Sequence, residues 1–215
     1  MIGRLSRSAG LLGAALGALV ACHGAASAQS VVDEWSSIAA PPAPALKPVS
    51  LDAKTTALLV MDFVRQSCNE KSRPRCVASI PKVKAMIAAA KAKGVTVMWT
   101  LPPGPKPGDF LPDIAPPAGT KFVVASVNKF FGTDLEKMLK AKGITTLVTV
   151  GTSAHGAVLY TASAAVPRGF NVVVPVDGMS ASVPYAEQAT AYILSTAPTV
   201  ASKVTLTRGD MIAYH

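Results

Sequence analysis

The residue best placed to do chemistry is Asp62, which closes the apolar run Thr56-Ala57-Leu58-Leu59-Val60-Met61. A carboxylate at the carboxyl end of a buried strand suits proton transfer, because desolvation there raises its pKa toward a working range. The competing use of the same group is to cap the amides of the loop that follows it. A second candidate is Gly151-Thr152-Ser153-Ala154-His155-Gly156-Ala157, a Gly-led turn running into a helix. Backbone N–H groups at such a turn point toward the sheet edge, where they can hold an anion or a developing oxyanion. Taken alone, the segment also reads as an ordinary strand-to-helix turn. His155 there can bond a ligand, shuttle a proton or simply pack. Ser153 offers a hydroxyl, but no general base is paired with it in sequence.

The cysteines divide by position. Cys22 falls in an N-terminal export-like segment, while Cys68 and Cys76 form an even pair separated by Asn-Glu-Lys-Ser-Arg-Pro-Arg. Two cysteines without a neighbouring histidine make a poor zinc site, and two free thiols are the other alternative. In an oxidising compartment the pair is expected to bridge, stabilising by about 2.6 kcal/mol through loop closure. No resident metal or cofactor is expected.

Export is read from the first 28 residues. Arg4 and Arg7 precede an apolar stretch reaching Cys22, and Ala26-Ser27-Ala28 has the small-x-small pattern of a cleavage site before Gln29. The stretch is too short to span a bilayer as a stable helix. A competing reading takes Leu19-Val20-Ala21-Cys22 as a lipoprotein signal with Cys22 acylated. Both put the mature domain outside the cytoplasm, in the periplasm or beyond, with membrane association only if Cys22 carries lipid. Net charge is +9 over 215 residues, and loss of Arg4 and Arg7 removes two of these charges. The lysines are spread over expected helix faces without a dense basic block or interleaved aromatics, which argues against nucleic acid as partner. A small molecule, with a mild preference for anions, fits better.

These residues need elements to position them. Residues 29–53 are rich in Ala, Pro and Ser and read as an extended leader, which leaves residues 54–215 as one domain. From Thr55 onward strands and helices alternate. After the strand ending at Asp62, Ser79 is expected to cap a helix carrying Pro81 in its first turn and ending at Gly94. Residues 95–101 and 122–126 follow as strands, separated by a long Pro/Gly-rich loop. Thr133 and Glu136 have capping-box spacing, and Gly143 stops that helix. Further strands are expected at residues 144–150, 170–176 and 204–207, with helices at 154–165 and 185–194. Six strands alternating with helices imply an α/β fold: an open, mostly parallel, Rossmann-like three-layer sheet with helices on both faces. Ligands in such sheets bind beyond the carboxyl ends of the strands, where Asp62, Gly151 and Asp177 fall.

Four blocks in order, Thr56 to Asp62, Phe130-Phe131-Gly132-Thr133-Asp134-Leu135, Gly151 through Thr161-Ala162, and Val172 to Asp177, resemble the isochorismatase-like hydrolase superfamily. The resemblance covers nearly all of residues 55–212. It implies a six-stranded parallel sheet and, in the cysteine-hydrolase branch, an Asp, a Lys and a nucleophilic Cys. Asp62 matches the family aspartate. The nucleophile's position is Ala157, which has no group able to attack a carbonyl. Ala154-His155 resembles the isochorismatase branch, which lacks that cysteine. The family lysine's position, counted back from Phe130, is Val124; Lys121 and Lys129 flank it, Lys129 being nearer the site loop, and a solvated lysine is the alternative for both. The histidine motif of metal-binding nicotinamidases has no counterpart in residues 99–112.

Together with the export signal, the resemblance implies an exported hydrolase of small-molecule C–N or ether-type bonds, with Asp62 as general acid or base and no cysteine nucleophile. Asp62, Lys129 and Ala157 form the expected catalytic set. Phe63, Gln66, Phe130, Ser153, Ala154 and His155 are the expected substrate contacts. The alternative is a catalytically inactive binding protein on the same fold; an envelope protein anchored through Cys22 is a third reading. Assembly into a homo-oligomer is a family-level expectation.

Overall fold

The computed structural model describes residues 30–215, so the expected export signal and Cys22 lie outside the described residues. The chain divides between Ala40 and Pro41 into two compact units. In the first, a single-turn helix α1 (Val31–Glu34) is closed by a reciprocal Ser30–Asp33 capping box.

The second unit holds the remaining elements. The first buried strand, β2 (Thr56–Met61), is buried at every position, as its unbroken apolar sequence requires of a strand covered on both faces. Its parallel neighbours are β3 (Thr96–Leu101) on one side and β5 (Thr146–Thr152) on the other. With β4 (Phe122–Val124), β6 (Asn171–Pro175) and β8 (Val204–Thr207), the order across the sheet is β4-β3-β2-β5-β6-β8. A two-residue strand, β7 (Met179–Ser180), joins the end of β5 in parallel, pairing Gly151 with Met179 and Thr152 with Ser180. The expected three-layer α/β fold is therefore present, with six strands along the main path.

The order in which strands are added reverses between β2 and β5, while all of them stay parallel. Strands β2, β3 and β4 step one way across the sheet, whereas β5, β6 and β8 step the other. The helices follow this division. Helix α2 (Pro74–Ala92) packs Val83, Met86, Ile87 and Ala90 against Leu58, Val60, Trp99, Val148 and Val150 on one face. Helices α3 (Leu135–Ala141), α4 (Leu159–Ala165) and α5 (Pro184–Thr196) cover Leu59, Met61, Met98, Leu147 and Val172 on the other. The carboxyl ends of β2 and β5 thus form the topological switch point, the usual ligand crevice of such sheets.

Three expectations are corrected. Strand β1 (Val49–Leu51) lies inside the segment expected as leader and pairs in parallel with β9 (Ile212–Tyr214). Alternation in Val49-Ser50-Leu51 puts two apolar side chains on the α2 face, so the Pro-rich stretch before it ends in a structural strand. Helix α2 starts at Pro74 and not after Ser79, leaving Pro81 inside it. Pro74 supplies the favoured first-turn proline, and the Cys68–Cys76 disulfide ties that turn to the β2 loop. Helix α3 is preceded by Asp134, and the Thr133 hydroxyl donates to the Lys129 carbonyl while accepting from Leu135 N–H, so no capping box with Glu136 forms.

Candidate active site

Residue 62 follows β2 in a left-handed backbone conformation, φ +62°. Asp is among the few side chains that tolerate this region. Its carbonyl is fixed by the Val64 N–H at 2.9 Å and the Ser67 hydroxyl at 2.9 Å. Strand alternation alone would group position 62 with Leu58 and Val60. The turn instead brings the carboxylate to Thr100 and Lys129.

Those two partners hold both oxygens. The Thr100 hydroxyl donates to Oδ1 at 2.7 Å, and Lys129 Nζ donates to Oδ2 at 2.6 Å. The ammonium also donates to the Ala125 carbonyl at 2.7 Å. The lysine side chain is fully buried, and the carboxylate is only 9% exposed. Desolvation pushes the Asp62 carboxyl above its ordinary range, opposed by the charge and hydrogen bond of Lys129 and by Thr100. The same desolvation pushes the Lys129 ammonium below its ordinary range, opposed by Asp62. Both groups are thereby drawn toward the pH range in which most enzymes work.

Lysine 129 comes from a loop tied to the other half of the site. Its backbone N–H donates to the Thr161 hydroxyl at 3.2 Å, and that hydroxyl donates to the Val127 carbonyl at 3.1 Å. Thr161 sits in α4, one helical turn beyond Ala157. The Gly151 turn enters α4 through a wide turn, Ala154–Val158, in which Ala154, Gly156, Ala157 and Val158 are buried and His155 is exposed. The carbonyl of Ser153 accepts from the Gly156 and Val158 N–H groups, at 3.1 and 3.3 Å. Gly151 is opposite Met61 in the sheet register, so acid and turn stand side by side at the switch point. A Cβ at Gly151 would lie 2.9 Å from the Met61 Cβ, so only glycine allows the two strand ends this close.

The expected residues separate clearly. Asp62 and Lys129 are brought together; Val124 is half exposed and Lys121 exposed, so neither enters. Ala157, Ser153 and Ala154 lie in the turn beside them. Phe63 and Phe130 are corrected to core residues: Phe63 packs with the α2 layer, and Phe130 stacks on Phe170 at 5.9 Å beneath the Arg168 guanidinium. Its chain neighbour Phe131 is the exposed aromatic there. Gln66 is exposed and is not among the hydrogen-bond partners of the Asp62 carboxylate. Asp177, expected at the same sheet edge, accepts from Gly209 N–H and faces Lys82 instead. Cys68 and Cys76 form the expected disulfide, so among the described residues no thiol is free. Among the same residues no cluster of three or more His, Cys, Asp or Glu side chains could hold a metal ion.

The isochorismatase domain family matches residues 56–203, spanning both halves of this site. The chain belongs to the isochorismatase-like hydrolase family. Among its relatives is an uncharacterized isochorismatase family protein, YecD, of Escherichia coli O157:H7, 29% identical over 62% of this chain and 84% of that protein. An N-carbamoylsarcosine amidase of an Arthrobacter species is 28% identical over 53% of each chain. Solved structures share the fold: an isochorismatase family protein from Desulfovibrio vulgaris has a TM-score of 0.66 at 20% identity, covering 73% of this chain and 95% of that one. The N-carbamoylsarcosine amidase of Thermoplasma acidophilum has a TM-score of 0.62 at 23% identity, over 73% and 97%.

Thr100 is the partner that sequence reading passed over, although a hydroxyl inside Val97-Met98-Trp99-Thr100-Leu101 is a detectable signal. Lys129 was harder to assign, because its reach to Asp62 depends on the path of the loop after β4.

Proposed function

We propose that this family member is an exported hydrolase of small-molecule C–N or ether-type bonds that works without a cysteine nucleophile. The observation that carries the reading is the buried Asp62–Lys129 pair, 2.6 Å apart, at the switch point beside the Ala157 turn. In this scheme Asp62 takes a proton from water as the water oxygen bonds to the substrate's electrophilic carbon. The same proton passes to the departing nitrogen or oxygen as that bond breaks. Lys129 holds the carboxylate in place and balances its charge. Because Gly156 and Val158 N–H groups are committed to Ser153, stabilisation of a developing oxyanion falls to the N–H groups of Ala154, His155 and Ala157.

Ala157 corresponds to the nucleophile's position in cysteine-hydrolase relatives, and the disulfide removes the two described cysteines from competition. That disulfide also supports an oxidising compartment. Similarity to N-carbamoylsarcosine amidases favours a C–N bond over an ether. A second reading, a binding protein that has lost turnover, is favoured by Ala157 alone.

The test is turnover of a panel of small amides, carbamoyl compounds and vinyl ethers by the wild-type protein and by Asp62→Asn. Turnover that falls by about a hundredfold or more in a folded Asp62→Asn protein supports the hydrolase. Binding without turnover in both proteins supports the second reading.

A further inference from the structure

A second cavity, of about 580 Å³, lies between α2 and the loops that follow β6 and β8. That volume suits a small organic ligand. Asp177 follows β6 and Arg208 follows β8, two strands whose last residues, Pro175 and Thr207, are register partners. Strand β5 stands between them and β2, so this cavity is separate from the crevice beside Asp62.

Its floor is apolar. Met86 is buried, and its thioether lies against the Gly209 backbone, where a Cβ would come within 2.9 Å of Sδ. Ala85, Ala89 and Ile212 extend the same surface. An unbranched thioether adapts readily to apolar guests of different shape.

The rim carries charges of both signs with bonding capacity left over. Asp177 Oδ1 accepts from Gly209 N–H at 2.9 Å, which fixes the carboxylate. Its Oδ2 stands 3.8 Å from Lys82 Nζ, beyond hydrogen-bond reach. The Lys84–Asp113 and Lys140–Glu136 pairs close to 2.7 and 2.6 Å, so the gap at Lys82 stands out from them. Arg208 gives Nε and Nη2 to Asp210, each at 2.9 Å, which leaves Nη1 over. The hydrogen bonds and charge of Asp210, and then the charge of Asp177, hold the Arg208 guanidinium above its ordinary range. The four charges therefore form one cluster. A cation and a carboxylate side by side, slightly too far apart to bond, complement a molecule that carries adjacent ammonium and carboxylate groups. An ω-amino acid or a dipeptide holds its two charges further apart.

We propose that this cavity binds a free α-amino acid with an apolar side chain. The ammonium donates to Asp177 Oδ2, and the carboxylate accepts from Lys82 Nζ and Arg208 Nη1. The side chain lies on Met86. The site is independent of Asp62 and of the hydrolase reading.

The probe is L-leucine, titrated into the protein by calorimetry and followed through the Met86 methyl resonance. Expected is a saturable shift of that resonance. Affinity should exceed that for N-acetyl-L-leucine, L-leucinamide, 6-aminohexanoate and leucyl-leucine by about tenfold or more, since each lacks or displaces one charged contact. Asp177→Asn, which keeps an oxygen for Gly209 N–H, and Lys82→Met should each weaken leucine binding by about tenfold or more. Asp62→Asn should bind leucine as the wild type does. No saturable shift, equal affinity for any of the four analogues, or unaltered affinity in either rim variant overturns the proposal. Loss of binding in Asp62→Asn moves the ligand to the catalytic crevice and rejects it equally. Should a rim variant fail to fold, the four analogues decide the matter on the wild-type protein.

Discussion

At the scale of single residues the decisive contact is one ammonium and one carboxylate removed from water together. Such a pair is poor evidence of stability, because desolvation of both ions offsets their attraction, but removal of one partner leaves a buried charge uncompensated. Lys129→Met is therefore expected to lower the unfolding free energy by about 3 kcal/mol, measured by denaturant titration near neutral pH. The deficit should shrink on acidification. In that variant Asp62 loses the attraction that opposes desolvation, so its folded pKa lies still further above the unfolded value. A group of this kind costs stability when ionised, and its relative stabilisation is recovered as pH falls through the folded pKa toward the unfolded one. Asp62 was legible in sequence because an acid ending an apolar strand has few structural uses. Lys129 was legible only as one of two lysines, since nothing in residues 121–129 encodes which of them folds inward.

At the scale of elements, the site depends on two strand ends touching and on a loop pinned by a disulfide. Gly151→Ala is expected to destabilise by about 1–3 kcal/mol and to impair turnover together, since its Cβ would intrude on Met61, next to Asp62. Thermal melting and assay of the same preparation check both. Replacing Cys68 and Cys76 by Ala is expected to cost about 2.6 kcal/mol in unfolding free energy, with non-reducing and reducing melts of the wild type differing in the same direction. The long periodic elements were readable because parallel strands buried on both faces leave unbroken apolar runs. Strands β1, β7 and β9 were not, because two or three residues hold no period, and their pairing is decided by distant partners. Helix α2 was placed too late because Ser79 looked like a cap; in the folded chain its hydroxyl bonds back to the Cys76 carbonyl from within the helix.

At the scale of the whole molecule, the fold places an acid, a lysine and an amide-bearing turn at the point where the strand order reverses between β2 and β5. Among the described residues no helix is long and apolar enough to cross a membrane. With no thiol free in the described residues, alkylation of the non-reduced protein by iodoacetamide is expected to leave turnover unchanged. A cysteine hydrolase of the same fold would be inactivated. Whether the buried pair governs the reaction is read directly by the pH dependence of kcat/KM. The predicted profile has an acid limb above the ordinary carboxylate range, where Asp62 must ionise, and an alkaline limb below the ordinary lysine range, where Lys129 must stay protonated. Asp62→Asn should remove the activity on which both limbs depend. A wild-type profile with both limbs at ordinary positions, or an Asp62→Asn protein with undiminished rate, would contradict that role for the pair.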